Sequence, residues 1–302
     1  MKLEKLLHKE NIGVVKFYDD DIGGKEDAKI TADIAHALKI DWVIADGYRF
    51  DAQYQKTIKE NNLNLMVLDD YGHADHYAAD VILNPGINPD QYIYLNRERH
   101  TKLLLGPKYI PLRREFLKTS RCPKQIFPQG NRVLVTMGGA DPNQVTLKVI
   151  ESLQEIDALQ ICVVVGPSYA YPDRLAAAID QSQILMLQDV DDMAALMFWA
   201  NIGISAGGGT LAEMAYMGLP SIIIQTAENQ AASKYYEAKF GTSVYLGDAA
   251  TVTKAQITDS VMLLRNDSLK RQEMSENGWK LIDGKGGQRV YEALTGKENS
   301  VS

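Results

Sequence analysis

The sequence predicts an α/β fold with parallel sheets, divided into two domains. Three observations carry this. Short apolar runs alternate with amphipathic stretches from end to end, the pattern left by strands that feed crossover helices. The chain has 302 residues, enough for two domains of ordinary size. Two glycine loops, Gly138-Gly139 and Gly207-Gly208-Gly209, directly follow apolar runs, at the carboxyl ends of strands where open parallel sheets hold their ligands.

Asp41-Trp-Val-Ile-Ala45 reads as a short buried strand leaving through the turn Asp46-Gly-Tyr48-Arg. Residues 53–61 carry a helix, and Leu63-Asn-Leu-Met-Val-Leu68 is the next strand, ending in Asp69-Asp70. Ala79-Asp-Val-Ile-Leu83 follows as another, closed by Asn84-Pro-Gly. Between Phe116 and Asn131 the chain holds Pro123, Pro128 and Gly130 with little periodicity, which marks a boundary. The domains are therefore expected over residues 1–125 and 126–302. The second opens with the strand Arg132-Val-Leu-Val-Thr-Met137. Asp141 is placed to cap a helix and Pro142 to occupy its first turn. Val145, Val149, Ile150 and Leu153 recur at helical spacing and give that helix its apolar face. Strands are expected at residues 160–165, 184–187, 202–205, 221–225 and 242–246, which completes a doubly wound domain.

Composition narrows the function classes. Hydrophobic residues at 45% and charged residues at 24% are those of a globular protein. A net charge of -7 argues against a nucleic-acid partner, which would call for a basic surface. The two cysteines, Cys122 and Cys162, form no disulfide framework and lack metal-ligand spacing, so a reducing cytoplasmic setting is expected. Residues 1–10 interrupt their apolar positions with charges, unlike a secretory signal or anchor. No apolar run is long enough to span a membrane.

A glycine loop that opens a helix points backbone N–H groups and the positive end of the helix dipole at one place. Ser205-Ala-Gly-Gly-Gly-Thr-Leu-Ala-Glu213 thus marks a candidate nucleoside-diphosphate site. Thr210 is placed at the cap. Glu213, three residues on, has two readings that do not exclude each other: it completes a capping box, or it accepts hydrogen bonds from a ribose diol. The P-loop and dinucleotide-fold spacings are both missing, so an ATPase and a nicotinamide dehydrogenase are disfavoured. The glycines also have a plain structural reading, tight turns and close helix packing. His73 and His76 follow Asp69-Asp70. A metal site or a general base can be made from such groups, but a polar surface loop is the favoured reading. Asp19-Asp20-Asp21 reads as a solvated turn.

Several motifs taken together resemble one family. They are Met137-Gly-Gly-Ala-Asp-Pro-Asn143, Ser205 to Ala215, Gly218-Leu-Pro, Glu228-Asn-Gln230 and Asp283-Gly-Lys-Gly-Gly287. In the first half, Trp42 to Tyr48, Leu68-Asp-Asp70, Asp80 to Asn84, Leu104 to Arg113 and Glu115-Phe116 look like the same pattern. It is similar to the UDP-sugar hydrolases of the pseudaminic acid pathway, relatives of the lipid II-forming glycosyltransferase and of spore-coat polysaccharide biosynthesis proteins. The resemblance implies a GT-B-like fold, two Rossmann-like doubly wound domains facing a cleft, with UDP held by the second. It implies diphosphate contacts at Gly138, Gly139, Gly207, Gly208 and Gly209, and a nucleotide site that also takes in Asp141, Asn143, Ser205 and Thr210. Glu213 would hold the ribose. The turn containing Val190 and Met193 would lie beside the uracil, and Asn229 and Gln230 would face the sugar and diphosphate. Tyr48 would sit by the sugar as the catalytic-site residue. No cofactor and no metal are implied.

The family opens with a strand and a Gly-x-Gly-His loop whose histidine is the implied group for water attack. This sequence enters the pattern only around Val14-Val-Lys-Phe17 and holds no such loop. The first domain is therefore expected to be incomplete at its start, with an exposed sheet edge open to homo-oligomer formation. The expected function is hydrolysis of a UDP-linked amino sugar in surface-glycan biosynthesis. The alternatives are a GT-B glycosyltransferase using a UDP-sugar donor, and a catalytically inactive UDP-sugar-binding protein.

Overall fold

The computed structural model describes residues 7–8, 11–15, 22–119, 125–179 and 183–297. The expectations for Asp19-Asp20-Asp21, for Cys122 and for most of residues 1–10 lie outside the described residues. The chain divides into two compact units, Met1–Asn84 with Asp90–Leu104, and Pro85–Pro89 with Leu105–Ser302. The division falls at Leu104, ahead of the proline-rich stretch where the sequence suggested a boundary. The segment between contributes α3 (Arg114–Lys118), whose Phe116 is fully buried in a core of the second unit.

In the first unit, α1 (Lys25–Ala37) leads into β1 (Trp42–Asp46), and α2 (Ala52–Glu60) into β2 (Asn64–Leu68). Then follow β3 (Val81–Asn84) and β4 (Lys102–Leu105). The strands lie in the order β1-β2-β3-β4, with β1 parallel to β2 and β2 parallel to β3. α1 buries Ala28, Ala32 and Ala35, small side chains that let it lie close against α2. Asp51 caps α2 by accepting from the Tyr54 N–H at 2.9 Å. Among the described residues β1 forms one edge of the sheet, and its Ile44 is 55% exposed.

The second unit holds β5 (Arg132–Thr136), α4 (Val145–Leu153), β6 (Gln160–Val165), α5 (Pro172–Ala178), β7 (Ile184–Gln188) and α6 (Met193–Trp199). After these come β8 (Ile202–Ser205), α7 (Thr210–Tyr216), β9 (Ser221–Gln225), α8 (Tyr235–Ala238) and β10 (Ser243–Asp248). Three helices close the unit: α9 (Lys254–Asn266), α10 (Ser268–Leu281) and α11 (Gly286–Thr295). The sheet runs β10-β9-β8-β5-β6-β7, all parallel. Counted from β5 this is the doubly wound order 3-2-1-4-5-6, and its strand order reverses between β5 and β8.

Alternation along the strands shows why helices cover both faces. Val133, Val135, Ile161, Val163, Ile202 and Ile204 share one core with Val149, Ile150, Ile257 and Val261 of α4 and α9. Leu134, Cys162 and Val164 point the other way, into Met193, Met197, Ala212 and Met214 of α6 and α7. Strands buried on both faces read as unbroken apolar runs, which is what the sequence has at these positions. Burial pushes the Cys162 thiol up to about 11, so it acts as a small apolar side chain.

Candidate functional site

The site in the second unit grows from the reversal of strand order. β5 and β8 are hydrogen-bonded neighbours with Thr136 opposite Ser205, so the loops that follow them start side by side. Gly138 has a φ of +86°, a left-handed turn that favours glycine. Gly139, Gly208 and Gly209 have no such φ, and a Cβ built on any of them meets nothing within 4 Å. Neither backbone strain nor crowding by the protein calls for glycine there. Gly207 differs: a Cβ would come within 2.8 Å of Gln230 Cβ and of Ser233 Oγ. Ser233 Oγ is itself buried with no hydrogen-bond partner among the described residues.

Gln230 ties the loop after β8 to the loop after β9. Its Oε1 accepts from the backbone N–H of Gly207 at 3.1 Å and of Thr226 at 2.9 Å. Asn229, beside it in the 3-10 turn 228–234, is exposed. Ser205 is buried at the end of β8. Asn143 is exposed, while Asp141 is buried and accepts from the N–H of Val145 at 2.9 Å and of Thr146 at 2.8 Å. Asp141 therefore occupies the N–H groups at the start of α4, and any anion at the loop after β5 must be met by the glycine backbone instead. Pro142 does not sit in the first turn of α4 as expected. The helix begins at Val145, after Gln144 in a left-handed conformation.

Glu213 does not close a capping box. The N-cap of α7 is Gly209, with no side-chain cap, so Thr210 is already helical and cannot play that part. Glu213 is instead buried and paired with Arg113 through two hydrogen bonds, Nε to Oε1 at 2.7 Å and the terminal nitrogen Nη2 to Oε2 at 2.9 Å. The pair raises the Arg113 pKa further. Arg113 also lies 3.2 Å from Glu115, which accepts from the Met193 N–H at 3.3 Å. Met193 is buried at the start of α6, with half-buried Val190 in the turn before it. This network links positions that the sequence treated separately. Its signal, Arg113 and Glu115 in one motif, was present without a role attached.

The first unit gathers a second polar cluster at the carboxyl ends of β1 and β2. Tyr48 donates to Asp70 at 2.9 Å and packs against Tyr71 with ring centroids 4.9 Å apart. Beneath them, Asp69 accepts from the N–H of Tyr71 and Gly72, both at 2.8 Å, and from the Tyr77 hydroxyl. Burial works to raise the Asp69 pKa. The Tyr77 hydroxyl, these N–H groups and His73 outweigh it, so the carboxyl lies below its ordinary value. The expected polar surface loop holds only for His76, which contacts Asn96 and Glu98. His73 is buried, with Nδ1 2.9 Å from Asp69 and Nε2 3.2 Å from the Phe50 carbonyl. With both ring nitrogens against protein oxygens, His73 presents no basic nitrogen to solvent, and the two histidines do not converge. Among the described residues no group of three or more His, Cys, Asp or Glu could hold a metal ion. No described helix is long and apolar enough to cross a membrane.

Residues 132–285, the doubly wound unit with its two glycine loops, match the glycosyltransferase family 28 C-terminal domain. The chain belongs to this family. Solved structures with a similar fold include Acinetobacter baumannii MurG, with a TM-score of 0.65 at 15% identity over 98% of this chain and 88% of that one. The UDP co-structure of S. aureus MnaA gives 0.67 at 12% identity over 98% and 88%. The fold is accordingly GT-B-like. The resemblance carried by the motifs is also found. SpsG of Bacillus subtilis, a spore coat polysaccharide biosynthesis protein, is 25% identical over 85% of this chain and 76% of its own length. A Helicobacter pylori protein named pseudaminic acid cytidylyltransferase and UDP-2,4-diacetamido-2,4,6-trideoxy-beta-L-altropyranose hydrolase is 27% identical over 63% of this chain. An uncharacterised Methanocaldococcus jannaschii protein, MJ1062, is 29% identical over 64%. The chain spans less than half of the last two, 35% and 42% of their lengths.

Proposed function

We propose that this glycosyltransferase-like protein acts in surface-polysaccharide biosynthesis, hydrolysing a UDP-linked amino sugar to UDP and the free sugar. The observation that carries the reading is the set of glycines at the reversal point. Gly139, Gly208 and Gly209 leave their Cβ directions open with no internal reason to be glycine. Backbone approaching this freely from outside suits a diphosphate, which needs several N–H groups at close range. Those groups would stabilise the negative charge that grows on UDP as the bond to the anomeric carbon breaks. The unpartnered Ser233 hydroxyl beside Gly207 supplies one more donor. Glu213 would take the ribose, Val190 and Met193 the base, and Asn229 and Gln230 the sugar-proximal phosphate.

In the first unit, Tyr48 is the residue that the motif resemblance puts by a sugar, and Asp70 is its partner. They are the exposed polar pair at the carboxyl ends of the first sheet, and a carboxylate can activate water as a general base. The names borne by SpsG and the Helicobacter protein support the pathway class. The match to the glycosyltransferase family 28 C-terminal domain favours a second reading, transfer of the sugar to an acceptor through the same nucleotide site.

Release of UDP from a panel of UDP-amino sugars without acceptor separates the two. Turnover that falls at least tenfold in Tyr48→Phe and Glu213→Ala supports the hydrolase. Release that requires an added glycan or lipid acceptor would establish the transferase, and binding of UDP without any release would leave a binding protein.

A further inference from the structure

Glu213 can serve a ribose only if its two oxygens face the diol in a fixed orientation, and the structure contains a device that fixes them. Arg113 grips the carboxylate side-on with Nε and one terminal nitrogen, at 2.7 and 2.9 Å. A carboxylate offers about four lone-pair positions. The guanidinium fork takes one on each oxygen and leaves one on each, a matched pair of acceptors for two neighbouring hydroxyls. The fork is held in turn. Its other terminal nitrogen lies 3.2 Å from Glu115, and the guanidinium carbon lies 5.1 Å from the ring of fully buried Phe116. Glu115 also accepts from the Met193 N–H, in the turn assigned to the base. Arg113 is half-exposed while Glu213 is nearly buried, so the pair sits at the rim of the second unit's interior.

We propose that Arg113 is the positioning residue for ribose recognition, orienting Glu213 and, through Glu115, coupling it to the base-side turn before α6. The inference rests on the reading that the second unit binds a uridine nucleotide. Arg113 acts through Glu213 and does not itself touch the sugar hydroxyls. A lysine cannot replace it, because one ammonium cannot hold both carboxylate oxygens in a planar fork.

The test is calorimetric affinity for UDP and for 2′,3′-dideoxyuridine diphosphate, with melting temperature as a folding control. Two hydrogen bonds to a fixed carboxylate predict that the wild type prefers UDP by roughly tenfold or more. Arg113→Gln and Arg113→Lys should both lose most of that preference, with UDP affinity falling to near that of the dideoxy analogue. Affinity for the dideoxy analogue itself should stay within about threefold, since each tenfold step needs a 1.4 kcal/mol change and no contact to it is lost. A merely structural role would lower both affinities by the same factor, and that result overturns the proposal. So does a preference that survives in both Arg113 variants while Glu213→Gln abolishes it, which leaves the nucleotide reading standing. If wild type binds neither compound, or Glu213→Gln keeps the preference, the nucleotide reading of this site fails and the proposal falls with it.

Discussion

Replacing Gly208 with alanine should weaken nucleotide binding without affecting stability, and replacing Gly207 should lower stability first. The two glycines are neighbours in one loop but face different surroundings. A methyl on Gly207 would sit 2.8 Å from Gln230 Cβ and 2.9 Å from Ser233 Cβ, where carbon atoms rest no closer than about 3.5 Å. Roughly 0.7 Å must be found by moving a segment whose Gln230 holds both Gly207 and Thr226. Overpacking of this kind costs about 1–3 kcal/mol, a fall in melting temperature of several degrees for a unit of this size. On Gly208 the same methyl meets nothing within 4 Å, and its φ is one that alanine adopts freely. Melting should therefore stay within about 1 °C of wild type. A diphosphate lying on that face would be held off by the methyl, which predicts about a tenfold or greater loss of UDP affinity. Thermal melting and calorimetric titration with UDP read the two effects separately. Unchanged UDP affinity in Gly208→Ala, or a melting loss equal to that of Gly207→Ala, would refute the claim that the open glycine face receives the ligand.

Other outcomes follow from the same geometry. A Cβ on Gly286 would lie 2.0 Å from the Ile110 carbonyl oxygen while one on Gly287 meets nothing. Gly286→Ala should thus destabilise by about 1–3 kcal/mol and Gly287→Ala should be neutral in thermal melts. Arg271 is fully buried and donates to the carbonyls of Leu264, Arg265 and Phe127. Arg271→Met should cost about 1.5–3 kcal/mol by denaturant titration, because the Leu264 and Arg265 carbonyls at the end of α9 and the Phe127 carbonyl lose a charged donor. The Arg289 guanidinium holds the Asp283 carboxyl at about 2, below its unfolded value. The stabilisation is therefore complete above pH 4 and lost as pH falls through the range from about 4 to 2. Melting curves across that window should converge for wild type and Arg289→Ala at the acid end and separate at pH 5.

Much of the fold could be read from residues because the second sheet is buried on both faces. β6, β8 and β9 were expected at residues 160–165, 202–205 and 221–225, where the structure has them. Elements are not legible in the sequence where burial does not depend on large apolar side chains. α1 packs through alanines, and α10 buries Arg271, Ser275 and Gly278 alongside Met274, so neither shows a helical stripe of large hydrophobics. The glycine loops were visible as local strings. The Arg113–Glu213 pair was not, since its partners stand 100 residues apart and local spacing offers Glu213 only a capping box within α7 or a ligand. The burial of His73 is hidden from local sequence for a similar reason: it comes from Asp69, Tyr77 and the Phe50 carbonyl, which converge only after β1 and β2 pair.

The most direct test of the central claim is amide hydrogen exchange of the protein with and without saturating UDP. Protection reports which backbone N–H groups a ligand covers or stiffens. Slowed exchange is expected at residues 138–140, 189–193 and 205–213 of the second unit, with little change along α9 and α10. Exchange that is unaltered by UDP, or altered only outside those three segments, would contradict it.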